Sequence, residues 1–336
     1  MSWVCILDRG ALDRRGGGWS CHRCGRCYPE SDGIPIFARD TAALEAAQTP
    51  LPQLEALPAL MRAGGTDAAA ESLCRSHGCF RRRPTCDWSF FLPLGKTSRV
   101  LELGGGFGDD TCELSRRAAA VVCLEPRLGS ARIVDQRRRA AGCENVAVAV
   151  APDLAALPLQ DGSVAALVLE DDAAAGFGLS DRTLPAAAAE WHRVLEPGGA
   201  AVLVLNNPRS PLRWLRPWSG RGRARSMRLN RWIKRAAASA KPVGLSPTAT
   251  VRTLRRLGFA DPILLAPFPD QDRTRLVLAL GHPGIVRYGL DSLVRRHGAP
   301  RRLGLALAEA AAGRLPLPRL LPCCFLIAPK PGPRPA

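Results

Sequence analysis

The stretch Val100-Leu-Glu-Leu-Gly-Gly-Gly-Phe-Gly108 decides the fold. A short apolar strand runs straight into a glycine-rich turn, and a helix is predicted to begin at Asp109. Gly104, Gly106 and Gly108 let the backbone bend tightly and approach a ligand with no Cβ in the way. Working outward, the pattern predicts strands over Arg99–Leu103, Val121–Leu124, Val146–Ala151, Ala165–Leu169 and Ala201–Leu205. Between them fall helices over Asp109–Ala120, Leu128–Ala141 and Asp181–Leu195, the last stopped by Pro197-Gly198-Gly199. Such alternation, running from Ser98 to about Asp261, is the signature of βαβ units on a parallel sheet. Strands without a polar side suit a sheet covered on both faces. Farther on come a strand at Pro262–Pro267, one or two helices within 284–312 and a closing strand near Cys323–Ala328.

A glycine fingerprint alone fits a dinucleotide site or merely a tight turn. The residues that follow discriminate. Glu125 ends the second strand, roughly twenty residues past the glycines, where a carboxylate can accept from both hydroxyls of a ribose. Asp153 follows the third strand and is placed to reach an adenine edge, with a turn-capping role as the alternative. Glu102 either faces the same ligand or caps the next helix. His192, in a helix before Pro-Gly-Gly, reads as a packing residue.

At this point the chain resembles the class I S-adenosylmethionine (SAM)-dependent methyltransferases. VLELGGGFG looks like the first motif of that family, CLEP like its acidic second motif, and DLAALPLQDGSVAALVL like the adenine-contact segment and fourth strand. WHRVLEPGGAAVLVL and TLRRLGFADPILL resemble its later helix–strand units. The resemblance covers about residues 97–268. It implies an α/β, Rossmann-like, seven-stranded, mostly parallel sheet with helices on both faces. It also implies SAM held by Glu102, Gly104, Gly106, Gly108, Glu125 and Asp153. Gly105 stands where the family usually carries Cys or Ala, an exchange expected to be harmless. The family's usual acidic-His pair is replaced by Glu170-Asp171-Asp172, and Asp172 is the expected catalytic base.

Residues 1–38 form a separate head containing Cys5-Ile-Leu-Asp8 and Cys21-His-Arg-Cys24. The head resembles the small zinc-ribbon-like domain attached to some methyltransferases, although Asp8 occupies the place of a cysteine. The resemblance implies a zinc site of Cys5, Asp8, Cys21 and Cys24, with Cys27 or His22 as substitutes, or else a ribbon that folds without metal. A looser cluster, Cys74, His77, Cys79 and Cys86, has poorer ligand spacing. The expected domains are the head at 1–38, a helical linker region at 39–96 and the methyltransferase domain at 97–336. The last carries a basic insert at about 206–240 and a helical insert at about 270–320.

Forty-seven Lys and Arg against thirty Asp and Glu give a net charge of +17, almost all of it arginine. That balance favours anionic partners. The insert interleaves arginine with Trp214, Trp218 and Trp232, which suits an anionic or lipid-linked substrate, or a solvated lid. No RNA-binding signature appears, so nucleic acid is set aside. No apolar run fits a signal peptide or a membrane span, so a cytoplasmic location is expected, with peripheral membrane contact open to the insert. Leu257–Asp270 is similar to a segment of methyltransferases from surface-polysaccharide pathways, which tilts the acceptor toward a hydroxyl or amine of a glycan, glycan precursor or small molecule. An RNA or protein methyltransferase and a non-catalytic SAM-fold scaffold are the competing readings.

Overall fold

The computed structural model describes residues 2–49, 94–207, 245–268, 276–282 and 323–333, with single positions between them. Most of the linker, most of the basic insert, the Cys74 cluster and the helices expected within 284–312 lie outside the described residues.

The head is a four-stranded antiparallel sheet in the order β1 (Leu12–Arg15), β2 (Gly18–Cys21), β3 (Cys27–Ser31) and β4 (Ile34–Pro35). Gly16 and Gly17, both with positive φ, make the two-residue turn between β1 and β2, the geometry that matches the twist of the flanking strands. Helix α1 (Thr41–Gln48) follows, its first turn capped by Asp40, which accepts the Ala43 amide at 2.7 Å.

The main sheet contains β5 (Arg99–Leu103), β6 (Ala120–Glu125), β7 (Val146–Val150), β8 (Val164–Glu170), β9 (Leu195–Asn206), β10 (Ile263–Phe268), β11 (Leu276–Ala279) and β12 (Cys323–Pro329). Its order is β11-β10-β12-β9-β8-β5-β6-β7. Strands β5 to β9 pair in parallel, while β12 runs antiparallel between β9 and β10. The expected α/β Rossmann-like sheet is present with eight strands rather than seven. The addition is β11, four residues long and too short to stand out in the sequence.

Helices α2 (Asp109–Arg117) and α3 (Leu128–Ala140) cover one face and share a core with Val100, Val121 and Cys123. Helices α5 (Leu184–Val194) and α6 (Pro247–Arg256) share the opposite core with Leu101, Leu103 and Leu124. Between β8 and α5 lies α4 (Asp171–Gly176), which the pattern did not predict. Pro197-Gly198-Gly199, expected to follow the helix as its stop, lies within a strand. Helix α5 ends at Val194, and β9 begins at Leu195, paired with Val164 across an irregular register. Gly199 is needed there because a Cβ would stand 2.7 Å from the Ala165 carbonyl oxygen.

The head is not a loose appendage. Trp3, Cys5, Tyr28 and Phe37 belong to the same core as Leu103 and Leu124. Ile36 forms a parallel bridge with Val150, and the Phe37 amide donates to the Val150 carbonyl at 2.8 Å. The head thereby covers the outer edge of β7, whose unpaired backbone groups would otherwise face water.

Candidate cofactor site and metal cluster

The parallel sheet reverses its direction of winding at β5. The chain moves from β5 outward to β6 and β7, then returns to the other side of β5 for β8 and β9. Ligands bind beyond the carboxyl ends of the strands at such a reversal. The glycine turn sits there, with Gly104, Gly106 and Gly108 at φ of 79°, 59° and 80°. Each is in the left-handed region, but they face different neighbours. A Cβ on Gly104 would lie 2.2 Å from that of Ala173 in α4, and one on Gly108 would press the Arg137 side chain of α3 at 3.2 Å. At Gly106 nothing lies within 4 Å of the Cβ position.

Gly105 sits where the turn has no room for a side chain. A Cβ there would stand 2.5 Å from Thr111 Oγ1 and 2.7 Å from Cys123 Sγ. The crowding arises because Thr111 turns back to donate to Glu102 Oε2 at 2.5 Å.

Two carboxylates end in this site. Glu102 is buried at the end of β5, and burial pushes its carboxyl up to about 8, with Asp110, Glu125 and Glu170 adding repulsion. Glu125 is buried at the end of β6 and accepts the Gly106 amide at 3.1 Å. Burial pushes it up to about 7 despite its hydrogen bonds. Asn206, closing β9, has a buried Oδ1 with no hydrogen-bond partner. An orphaned buried acceptor of this kind suits a ligand that can donate to it. Asp172 lies in the first turn of α4, after β8, and its side chain is outside the described ones.

Asp153 stands just beyond β7 with both oxygens engaged. Oδ1 accepts the Ala155 amide at 2.8 Å, and Oδ2 pairs with Arg39 Nε at 2.7 Å. The turn role weighed for this residue is therefore real, and Arg39 is a partner that motif spacing did not reveal. His192 packs edge-on against Phe259 at 5.1 Å, as expected of a packing residue.

In the head, the ligand atoms of Cys5, Asp8, Cys21 and Cys24 lie within 4.8 Å of one another. Cys5 Sγ and Cys24 Sγ are 3.7 Å apart. Two thiolates in tetrahedral coordination, each about 2.3 Å from an ion, stand about 3.8 Å apart. Asp8 Oδ1 accepts the Gly10 amide at 2.9 Å and lies 3.3 Å from Cys21 Sγ. Asp8 Oδ2 is buried with no hydrogen-bond partner. The donors therefore fit a dication, with Asp8 in the cysteine position. Tyr28 OH accepts the Ile6 amide at 3.3 Å, which leaves its proton for Cys5 Sγ at 3.1 Å, an outer contact of the kind that orients metal ligands. The substitutes are elsewhere: Cys27 is exposed on β3, and His22 pairs with Asp13 at 2.7 Å.

The Arg9 guanidinium, one residue past Asp8, forks onto Glu190 of α5 at 2.8 and 3.0 Å. Glu190 also receives Arg193 and the Leu157 amide. Burial works against this carboxylate, but the two arginines and the amide prevail and hold it down at about 2. Neither Arg9 nor Glu190 carries a sequence signal, because the ion pair joins residues far apart in the chain.

Residues 100–199 match the model of a family described as "Methyltransferase domain", so the chain carries the domain of a methyltransferase enzyme. A search of curated proteins finds no match. Among solved structures, the chain is similar to the YcgJ protein of Bacillus subtilis, with 16% identity, 74% of this chain and 98% of that one covered, and a TM-score of 0.44. It is similar to a geranyl diphosphate C-methyltransferase of Streptomyces coelicolor, with 14% identity, 73% and 76% covered, and a TM-score of 0.42. A phosphoethanolamine N-methyltransferase of Haemonchus contortus shows 14% identity, 81% and 59% covered, and a TM-score of 0.46. No helix among the described residues is long and apolar enough to cross a membrane.

Proposed function

We propose that the chain transfers a methyl group from SAM to a hydroxyl or amine of a small molecule, glycan or glycan precursor. The observation that carries the reading is the pair Gly106–Glu125. An open backbone turn and a buried carboxylate meet at the carboxyl end of a parallel sheet, at the point where the sheet reverses. When bound, SAM supplies an electrophilic methyl group, and the protein contributes binding and alignment.

Glu125 holds the ribose, Asp153 the adenine amino group, and Glu102 with the Gly104–Gly108 turn the methionine end. Glu102 does so through Thr111, which fixes its carboxylate. Asp172, after β8, is the base that takes the acceptor proton, and Asn206, closing the neighbouring strand β9, offers an orphaned acceptor. The basic insert at about 206–240 receives an anionic or lipid-linked acceptor. Cys5, Asp8, Cys21 and Cys24 hold a structural zinc, supported by the 3.7 Å sulfur pair and the unpartnered Asp8 oxygen. The domain division at 1–38, 39–96 and 97–336 and the cytoplasmic location belong to the same reading.

The test is calorimetric titration with S-adenosylhomocysteine (SAH), beside Glu125→Ala. Micromolar binding that collapses in the variant supports the site. No binding by the unaltered chain overturns it. Metal content after purification without added zinc tests the head, since structural zinc binds near stoichiometrically.

A further inference from the structure

One short segment of the catalytic domain is gripped from two directions by the head. Residues Asp153 to Pro158 form the loop after β7, and this loop carries the carboxylate assigned to adenine. The grip comes from both knuckles of the cysteine cluster.

From the first knuckle, Cys5–Gly10, Arg9 reaches Glu190, and Glu190 accepts the Leu157 amide at 3.0 Å. Just before it, the Val4 amide donates to the Pro158 carbonyl at 3.2 Å. From the second knuckle, Cys21–Cys24, the chain runs into Arg26, whose carbonyl accepts the Cys21 amide at 2.9 Å. Arg26 Nη2 donates to the Ala38 carbonyl at 3.0 Å and also to that of Arg39. Arg39 then straddles the loop, with Nε on Asp153 Oδ2 at 2.7 Å and Nη2 toward the Ala155 carbonyl at 3.4 Å. The two knuckles meet at their ligand atoms, Cys5 with Cys24 and Asp8 with Cys21, and also through Arg23 Nη1, which donates to the Asp8 carbonyl at 2.9 Å, and the β1–β2 pairing of Leu12 with Cys21.

We propose that the head is a metal-dependent clasp on the adenine end of the cofactor site, in which Arg39 is the residue that positions Asp153. The inference rests on the SAM and zinc assignments above and adds a link between them. A bound ion ties the two knuckles together, so the two arms that hold the 153–158 loop keep a fixed separation. Losing the ion leaves each arm attached to the loop but loosens the join between them, which then rests on the Arg23 contact and the β1–β2 hairpin. The adenine carboxylate then loses its set direction. Arg39 Nε uses one lone-pair direction of Oδ2, so the pairing aims the carboxylate without exhausting it. By thermodynamic reciprocity, whatever factor the ion adds to cofactor affinity, the cofactor adds to ion affinity.

The experiment uses the full chain and two probes, SAH and zinc. SAH affinity is measured by calorimetry on zinc-loaded and chelator-stripped protein, and on Arg39→Ala and Arg39→Lys, with near-ultraviolet circular dichroism to check that each form is folded. Stripping weakens SAH binding of the unaltered chain about tenfold, and Arg39→Ala does the same with zinc in place. Stripping Arg39→Ala then costs markedly less than stripping the unaltered chain, and Arg39→Lys recovers part of the loss. Zinc competition against a colorimetric chelator shows SAH tightening zinc by the same factor as zinc tightens SAH. Equal SAH affinity with and without zinc, in folded protein that binds both, overturns the clasp while leaving both sites standing. Unaltered affinity in Arg39→Ala overturns the role of Arg39. A loaded chain that ignores SAH sinks the cofactor assignment itself, and a chain that takes no zinc sinks the metal one; the clasp falls with either.

Discussion

Glu190 and Glu125 are both buried carboxylates in this fold, and they are held in opposite ways. Glu190 sits between Arg9 and Arg193 and takes the Leu157 amide as well, which keeps it ionised down to about pH 2. Glu125 has the Gly106 amide and Cys123 Sγ beside it, and burial raises it to about 7. A buried charge costs several kcal/mol unless it is paired. At Glu190 the chain supplies the pairing itself, and the result joins the head to α5. At Glu125 the chain supplies only neutral donors, Ser130, the Gly105 and Gly106 amides and Cys123, and burial prevails over them. The difference is between a carboxylate that arginines hold ionised and one that burial holds near neutrality.

The comparison can be broken most directly at Glu190. Glu190→Ala takes a buried partner from Arg193, which keeps Asp161 and two carbonyls, orphans the Leu157 amide and releases Arg9, so it is expected to cost about 3 kcal/mol of stability, read from denaturant melts. A loss under about 1 kcal/mol would mean that the ion pair is no brace. Next in size is Glu125→Ala. SAH affinity should fall about a hundredfold while the melting temperature holds or rises, because a buried acid that burial destabilises has been removed. A variant that unfolds instead would place Glu125 in the same class as Glu190.

Gly105→Ala comes third. Its Cβ pushes Thr111 off Glu102, and a cost of about 2 kcal/mol is expected, as for other overpacked cores. The smallest effect is pH dependence, where the two carboxylates run in opposite directions. Between about 4.5 and the raised values of about 7 and 8, the folded chain holds protons on Glu125 and Glu102 that the unfolded chain has released. Their contribution to stability therefore falls as pH rises through that window. Glu190 contributes fully above about 4.5 and loses its contribution as pH falls toward 2. SAH binding needs ionised Glu125, so its affinity should rise about tenfold from pH 6 to pH 8 and then level off. A flat profile over that range would mean that Glu125 is already ionised or makes no contact.

The parallel half of the sheet was legible because its strands are continuously apolar and each helix between them has its own periodicity. The glycine turn and both acidic strand ends were legible for the same reason, since their spacing is local. What escaped was pairing at a distance. Arg39 and Asp153 carry no shared motif, and neither do Arg9 and Glu190, so only the folded chain brings them together. The crowding around Gly105 escaped because it comes from Thr111 and Cys123, which belong to neighbouring elements. That Pro197-Gly198-Gly199 lies inside β9 was hidden because a helix stop and an irregular strand start use the same residues. Strand β11 is too short to announce itself. In the head, the sequence left Asp8 open between a zinc ligand and part of a ribbon that folds without metal, and the fold sets its unpartnered oxygen beside three thiols.

Strand β12 bears on how the molecule is made. It is last in the chain among the strands, yet it lies inside the sheet, between β9 and β10. During synthesis, β5 to β9 can assemble as they emerge, but β10 and β11 have no place to dock until the ribosome has delivered β12. Until then β9 presents a bare apolar margin, a template for neighbouring nascent chains. The closing step is thus a long-range one, and such contacts form slowly. Chaperone demand during expression should centre on this interval, after β9 has been built and before β12 fills its slot.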